Sequence, residues 1–221
     1  MLQLQRQPVI RQVIFDLDGT LLDTREGIME GVAHTARVLG YRELDRETML
    51  TFVGPPIQQS LMTHYGCTPE EAQRGAEVFR AYYKESAMYK ARPYEGIYEL
   101  CEMLRSRDIR MAVATYKRED YALTLLRHFR FHEYCSVMHG ADGENKLKKR
   151  DIVELCLAEL GGERQETVLV GDTVHDAAGA MEAGIAFIAV SYGFGFRNAE
   201  DGGSYPFLGI AQTPLEIGEL L

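Results

Sequence analysis

Five short apolar runs alternate with helical patterns along the 221 residues of the chain. A stretch such as residues 94–108 repeats its apolar residues at the spacing of an amphipathic helix. Short strands that alternate with helices predict an α/β fold, in which helices cover both faces of a parallel sheet as a three-layer core. The predicted strands are Gln12–Phe15, Met111–Ala114, Cys135–Met138, Thr167–Val170 and Ala186–Val190.

The connection between the first two predicted strands is much longer than the roughly 30 residues of a strand-helix-strand unit. Its surplus residues have helical patterns. Thr68, Pro69 and Glu71 give one helix an N-cap and a capping box, and Gly40 ends another. We therefore expect an inserted α-helical cap domain at residues 22–91, with the α/β core formed by residues 1–21 and 92–221.

The charge balance limits the partners that such a protein can have. The formal net charge is -9, and 26% of the residues are charged against 46% that are hydrophobic. An acidic globular protein repels a polyphosphate backbone, so we expect no nucleic-acid polymer as partner. A small phosphorylated metabolite stays compatible, because a local cationic pocket can lie within an acidic surface.

Cysteine spacing and hydropathy predict where the protein works. The four cysteines form no CxxC pair, which is typical of reduced thiols. Residues 1–12 lack the apolar core of a signal peptide, and no stretch has the length and apolar character of a membrane span. We expect a cytoplasmic protein that does not bind a membrane.

Polar side chains follow three of the predicted strands at the point where each strand ends. Asp16 and Asp18 follow the first strand, Thr115 the second, and Asp172 and Asp176 the fourth. Ligands of open α/β sheets bind beyond these carboxyl ends. Neighbouring carboxylates resist ionising together because their charges repel, and a hard divalent cation such as Mg²⁺ would offset that repulsion.

The stretch VIFDLDGTLLD, at residues 13–23, has a chemical interpretation of its own. Asp16 and Asp18 point to the same side of an extended segment, so one can attack a substrate while the other transfers protons. An aspartate is ionised near neutrality and needs no separate base to act as a nucleophile. Gly19 permits a sharp turn that brings backbone N–H groups toward an anion, and Thr20 adds a hydroxyl.

Four motifs in this order resemble the haloacid dehalogenase (HAD) superfamily of phosphohydrolases. They are DLDGTLLD, VATYK, KLKKRD and VGDTVHD, and the resemblance covers essentially the whole chain. FVGPPIQQSL, RPYEGI and VHDAAGAMEAGI further resemble the branch that contains phosphoglycolate phosphatases and 5'-nucleotidase-like phosphatases. The resemblance implies a Rossmann-like parallel sheet core with a helical cap between the first two motifs.

The resemblance also implies a role for each acid. Asp16 would attack phosphorus to form an aspartyl-phosphate, and Asp18 would act as general acid and then general base. Mg²⁺ would be held by the Asp16 carboxylate, the Asp18 backbone carbonyl and Asp172. Asp176 would act on water or on a lysine without contacting the ion. Thr115 would hydrogen-bond the phosphoryl oxygens.

A lysine should neutralise the charge on those oxygens, and the basic segment offers three. Lys146, Lys148 and Lys149 all satisfy the motif. The family's lysine usually stands at the start of the following helix, which favours Lys149. Lys117 follows Thr115 too closely to be the main candidate.

The predicted function is Mg²⁺-dependent hydrolysis of a small phosphomonoester by a monomer or homodimer. Phosphoglycolate, a nucleoside monophosphate and a sugar phosphate all satisfy the core chemistry. Gly19, Thr20, Tyr116 and Arg25 are the candidate substrate contacts, and the loop SYGFGF at residues 191–196 is a weaker candidate for a place beside the site. A phosphomutase resembling β-phosphoglucomutase and a non-catalytic interaction protein with the same fold are the alternatives.

Overall fold

A computed structural model describes residues 9–143 and 146–221 of the chain. The strands are β1 Gln12–Phe15, β2 Leu22–Asp23, β3 Arg92–Pro93, β4 Arg110–Arg118, β5 Cys135–Ala141, β6 Thr167–Gly171, β7 Ala186–Val190 and β8 Gly209–Ala211. The α-helices are α1 Arg25–Leu39, α2 Arg46–Leu50, α3 Ile57–Tyr65, α4 Pro69–Tyr82, α5 Ile97–Ser106, α6 Glu119–His128, α7 Lys149–Leu160, α8 Val174–Ala183 and α9 Pro214–Ile217. A π-helical segment, Tyr83–Ala87, continues α4.

Six of the strands form one parallel sheet in the order β5-β4-β1-β6-β7-β8. Strand β1 lies between β4 and β6, with Phe15 beside Val113 on one side and Val170 on the other. The carboxyl ends of these three strands therefore meet at one edge, which is where the polar motifs begin. The α/β fold class and the five predicted strands are confirmed.

The sheet is buried on both faces, as parallel sheets are. In β1, Val13 and Phe15 pack into one apolar cluster, and Ile14 packs into the other on the opposite face. Helix α5 covers the first cluster with a fully buried stripe that includes Leu100 and Leu104. Because the side chains of β1 are packed on both faces, the position of Asp16 directly after the strand is fixed as well.

Two helix boundaries between β1 and β4 lie where the sequence predicts them. In α4, Thr68 accepts from the Glu71 N–H at 3.2 Å, and Glu71 accepts from the Thr68 N–H at 2.8 Å, which completes the predicted capping box. Gly40 ends α1 in the left-handed conformation, with φ of 68°. The capping box therefore predicts the start of α4, and the glycine predicts the end of α1.

A short antiparallel ribbon joins the two ends of the helical insertion. Leu22 pairs with Pro93 and Asp23 pairs with Arg92. Helices α1 to α4 lie between these two strands in the sequence. The division into a core (1–21 and 92–221) and a cap (22–91) stays a prediction, and residues 1–8 of that core lie outside the described residues.

Two features of the sheet differ from the sequence interpretation. Strands β4 and β5 run further than predicted, to Arg118 and Ala141, and β8 is an additional strand of three residues beside β7. A run as short as Gly209–Ala211 carries no periodicity, so only pairing with β7 defines it. Among the helices of the described residues, none has both the length and the apolar character that crossing a bilayer requires.

Candidate active site

Three buried aspartates meet at the carboxyl edge of β1 and β6. Asp16 follows β1, Asp172 follows β6, and Asp176 lies in the first turn of α8. One carboxylate oxygen from each lies within 4.8 Å of the others. All three side chains are buried, so their charges are poorly solvated.

Lys149 is the cation that lies inside this group. Its Nζ donates to Asp16 Oδ1 at 2.6 Å and lies 2.6 Å from Asp176 Oδ1. The side chain is buried at the first residue of α7, whereas Lys146 and Lys148 are exposed. The start of the helix thus selects Lys149 among the three predicted candidates.

Asp172 has one oxygen that the protein leaves without a partner. Its Oδ2 accepts from the Phe194 N–H at 2.7 Å, but no hydrogen-bond donor among the described residues reaches Oδ1, although the residue is 0% exposed. An unpartnered buried carboxylate oxygen is costly. A hard cation with oxygen ligands fits this donor set, because Asp16 lies within reach of the same point.

Burial raises the pKa of both strand-end acids, Asp16 and Asp172, and so favours their protonated forms. Desolvation, followed by the negative charges of Asp176 and Asp18, raises the pKa of Asp16 to about 7 although Lys149 opposes the shift. Desolvation and then the charges of Asp176 and Asp16 raise the pKa of Asp172 well above its ordinary value. One lysine does not balance three carboxylates, so a divalent cation would restore their charged forms.

Asp176 differs from Asp172 because the protein occupies both of its oxygens. Oδ2 accepts from the Thr173 N–H at 2.9 Å and from the Thr173 hydroxyl at 2.7 Å, and Oδ1 faces Lys149. These contacts fix the start of α8 and orient the lysine. They support the prediction that Asp176 acts through its neighbours rather than on the ion.

A second buried ion pair holds Asp18. The Nζ of Lys117 lies 3.0 Å from both carboxylate oxygens of Asp18 and 5.0 Å from the ring centroid of Tyr83. Burial lowers the pKa of Lys117, but the interactions with Asp18 and with the Tyr83 hydroxyl together outweigh it, so the net shift of the pKa is upward. The sequence indicated only that Lys117 was not the main phosphate ligand, and the structure gives it a different partner.

Thr115 and Tyr116 line the same small cavity as the acids. The Thr115 hydroxyl accepts from the Lys117 N–H at 3.1 Å, so its own proton is left to donate toward a bound group. The Tyr116 ring centroid lies 6.0 Å from Lys149 Nζ and packs edge-on against His175. Both residues therefore lie beside the acids, and their contacts with substrate stay a prediction.

Gly19 and Thr20 serve the site differently from the prediction. The Gly19 N–H donates to Leu22 at 2.9 Å, and the Thr20 N–H donates to Leu17 at 3.3 Å, so neither faces an anion. Gly19 has φ of 86°, and a Cβ there would overlap the Asp172 carboxylate. The glycine is needed for close approach. The Thr20 side chain is fully buried, with an unpartnered hydroxyl.

Arg25 is not brought to the site. Its guanidinium binds Asp23 at 2.8 Å and 2.5 Å and lies 5.5 Å from the ring centroid of Phe194. It lines neither the cavity that contains Asp16 nor the larger cavity beside Asp18. Asp23, two residues earlier in the sequence, therefore pairs with the guanidinium that we predicted to contact substrate.

The backbone of the loop at residues 191–196 packs closely against Asp172. Phe194 donates its N–H to Asp172, and Gly193 and Gly195 approach Asp172 so closely that a Cβ at either would overlap it. Sequence reasoning gave this loop little weight. Two glycines spaced two apart directly after a buried strand were the available signal.

Two adjoining cavities surround the acids. The smaller, of about 10 Å³, contains Asp16, Thr115, Lys149 and Asp172 among its lining residues. The larger, of about 90 Å³, lies beyond Asp18 toward the helical insertion. Asp18 lines both cavities, so it stands at the boundary between the acids and the larger space.

Known proteins with this sequence pattern carry the same fold. Residues 13–190 match the family model described as haloacid dehalogenase-like hydrolase. The chain belongs to this family.

Three relatives illustrate the range of the family. A 5'-nucleotidase of Pseudomonas aeruginosa is 34% identical over 184 residues, which cover 83% of each chain. The tyrosine-protein kinase PtkA of Mycobacterium tuberculosis is 33% identical over 95% of this chain and 72% of its own. The crystal structure of a predicted phosphatase from Clostridium acetobutylicum matches with a TM-score of 0.88 and 29% identity, over 96% of this chain and 97% of that one. The family and its phosphatase members make this chain a HAD-type phosphoric monoester hydrolase.

We expect Asp172→Asn to stabilise the protein when divalent cations are removed. The folded state keeps protons on Asp16 and Asp172 that the unfolded state releases above about pH 4, so metal-free stability should fall as pH rises from about 4 to about 7. Removing one buried charge should raise the free energy of unfolding at pH 8 by about 1–3 kcal/mol. Denaturant unfolding in EDTA measures it.

The exposed Asp108→Asn variant is the matched control and should leave stability unchanged. Added Mg²⁺ should stabilise the parent protein but not Asp172→Asn. A metal-free Asp172→Asn protein that is less stable than the parent would contradict a cluster with excess negative charge.

Proposed function

We propose that the chain hydrolyses a small phosphomonoester in a Mg²⁺-dependent reaction through an aspartyl-phosphate on Asp16. The observation that carries the proposal is the arrangement around this carboxylate. Lys149 donates to one Asp16 oxygen at 2.6 Å, and the unpartnered Asp172 oxygen lies in the same group of acids. The proposed nucleophile, a cation and the proposed metal ligand thus lie together at the carboxyl edge of the sheet.

The proposed Mg²⁺ site uses the Asp16 carboxylate, Asp172 and the backbone carbonyl of Asp18. When bound, the ion would neutralise charge on the phosphoryl oxygens and balance the carboxylates around it. The donor set is all oxygen, as this ion prefers. Lys149 and the Thr115 hydroxyl would bind the remaining phosphoryl oxygens and hold them while the bond to the leaving oxygen breaks.

In the first step, an Asp16 oxygen forms a bond to phosphorus as the ester bond breaks. Asp18 first takes up a proton, from the bound phosphomonoester or from water, and then gives it to the leaving oxygen, which departs as an alcohol. In the second step, Asp18 takes a proton from water as the water attacks phosphorus, and free phosphate leaves Asp16 intact. The two aspartates have separate lysine partners, because Lys149 contacts Asp16 and Lys117 contacts Asp18.

We also propose that helices α1 to α4, within residues 22–91, act as the cap over this site. Gly54 from the insertion lines both cavities, and a Cβ at this residue would lie 3.7 Å from Thr173 of the core. Tyr121 of α6 donates its hydroxyl to the Arg80 carbonyl of α4 at 3.4 Å. Such a cap would exclude water from the phosphoryl group, which strengthens each polar contact there.

The acceptor of the phosphoryl group separates this function from its alternatives. A phosphomutase would pass the group to a second sugar hydroxyl, and the relative named as a tyrosine-protein kinase suggests a protein acceptor. A non-catalytic protein would release no phosphate at all. Intact Asp16, Asp18, Thr115, Lys149 and Asp172 favour catalysis, because a buried acid cluster has a cost in stability that a binding protein need not bear. The proposal includes a cytoplasmic monomer or homodimer.

Asp16→Asn should abolish Mg²⁺-dependent hydrolysis of p-nitrophenyl phosphate while the protein stays folded. Loss of the nucleophile should lower kcat by about 10⁴-fold or more. Release of phosphate, measured with and without EDTA, is the assay, and circular dichroism checks the fold. Exposed Asp108→Asn is the control. A parent protein that releases no phosphate from this probe or from a broad panel of phosphorylated metabolites would reject the proposed function.

Lys149→Met should lower kcat/KM by about 10²–10³-fold, because the phosphoryl oxygens lose a buried cation. Lys148→Met is a closely matched control, since the neighbouring lysine is exposed and makes no ion pair among the described residues. It should retain parent kinetics. Equal losses in the two variants would contradict the assignment of Lys149 and point to a general effect of the basic segment.

A further inference from the structure

The larger cavity beside Asp18 is lined by cationic side chains that have no role in the proposed reaction. It has a volume of about 90 Å³ and lies between helix α4 with its π-helical continuation and the end of β4 with α6. Its polar lining includes three cationic side chains, Arg80, Lys117 and Arg118. Asp18 at the boundary is the one carboxylate among its lining residues. A space with this lining suits an anion.

Two of the three cations already have carboxylate partners. Lys117 contacts both oxygens of Asp18 at 3.0 Å. Arg118 binds Asp120 through two hydrogen bonds of 2.6 Å and 2.5 Å, and its guanidinium lies 4.4 Å from the ring centroid of Tyr121. These two charges are therefore balanced within the protein.

Arg80 is the cation that has no such partner. Within residues 9–143 and 146–221, its guanidinium takes part in no ion pair and no side-chain hydrogen bond, although Glu77 and Asp120 are near enough to influence it electrostatically. Burial and then the charge of Arg118 lower its pKa. A half-buried guanidinium with five unused donors is costly to keep, and an anionic ligand would remove that cost.

The position of Asp18 orients any substrate with respect to Arg80. If Asp18 protonates the leaving oxygen, the rest of the leaving group has to lie on the far side of Asp18 from Asp16. The larger cavity is the space that Asp18 lines on that side, and Arg80 lines the same space. The distal end of the leaving group would therefore meet the unpartnered guanidinium.

We propose that Arg80 selects phosphomonoesters whose small leaving group carries a second anionic group, such as a carboxylate. The inference rests on the proposed phosphatase function and specifies its substrate class. The guanidinium would bind the carboxylate through two parallel hydrogen bonds. Hydrolysis then releases phosphate and a hydroxy acid, whose hydroxyl proton comes from Asp18.

The size of the cavity supports a small leaving group over a nucleoside. Pockets for drug-sized ligands usually measure about 300–1,000 Å³, several times the 90 Å³ found here. A nucleoside also offers no negative charge to Arg80. A leaving group with two or three carbons and a carboxylate satisfies both the volume and the charge.

The experiment compares two substrates of equal carbon number that differ in charge. The probes are 2-phosphoglycolate, whose leaving group carries a carboxylate, and 2-hydroxyethyl phosphate, whose leaving group is neutral. The parent protein should show the higher kcat/KM on 2-phosphoglycolate. Arg80→Gln should lower the ratio of the two values by about 10–100-fold, as expected for loss of a charge-assisted bidentate contact. Arg80→Lys should restore part of the ratio.

Arg74→Gln is the matched control, because Arg74 lies on the exposed side of the same helix and lines neither cavity. It should leave both kcat/KM values unchanged. A parent that prefers the neutral probe, or an Arg80→Gln variant that loses both activities equally, would overturn the inference and leave the phosphatase function standing. No phosphate from either probe or from p-nitrophenyl phosphate would reject the function as well.

Discussion

The structure of the site depends on the cost of placing three carboxylates in one buried space. One carboxylate oxygen from each of Asp16, Asp172 and Asp176 lies within 4.8 Å of the others, and among the described residues Lys149 is the one lysine that forms an ion pair with this group. Such a group resists full ionisation, which is why burial raises the pKa of Asp16 to about 7. A divalent cation and a cationic contact to a phosphoryl group would offset the repulsion among these carboxylates. A folded chain that tolerates this cost is consistent with selection for chemistry rather than for stability.

The fold is able to hold these acids because its strands are parallel and its surrounding loops are tight. Strands β1, β4 and β6 are parallel neighbours, so the residues that follow Phe15, Val113 and Val170 lie at the same edge of the sheet. Glycines at positions 19, 193 and 195 then allow backbone to approach Asp172 where any side chain would overlap it. Each of the two acids of the first motif has its own lysine partner: Lys149 contacts Asp16, and Lys117 contacts Asp18. The two carboxylates therefore have different surroundings within three residues of sequence.

The sequence allowed the fold to be predicted in some detail because its signals are local. Apolar runs, the capping box at Thr68 and the glycine after α1 each act over a few residues, and all of them appear in the structure. Features that depend on distant pairing were not accessible. Strand β8 exists through its contact with β7, and Arg25 is occupied by Asp23 in a local turn. The Lys117–Asp18 pair joins two segments of the core that lie 99 residues apart in the sequence. The surroundings of Arg80 follow from how the helical insertion packs against the core. No local sequence pattern records either arrangement.

Asp16 is the proposed nucleophile that receives the phosphoryl group. The most direct test of this role is rapid acid quenching of the protein during turnover of p-nitrophenyl phosphate, followed by mass spectrometry of the peptide that contains β1. We expect one added phosphoryl group on Asp16 in the parent protein and none in Asp16→Asn. Phosphate release with no modified Asp16, or with the phosphoryl group on a serine, threonine or histidine, would contradict this role.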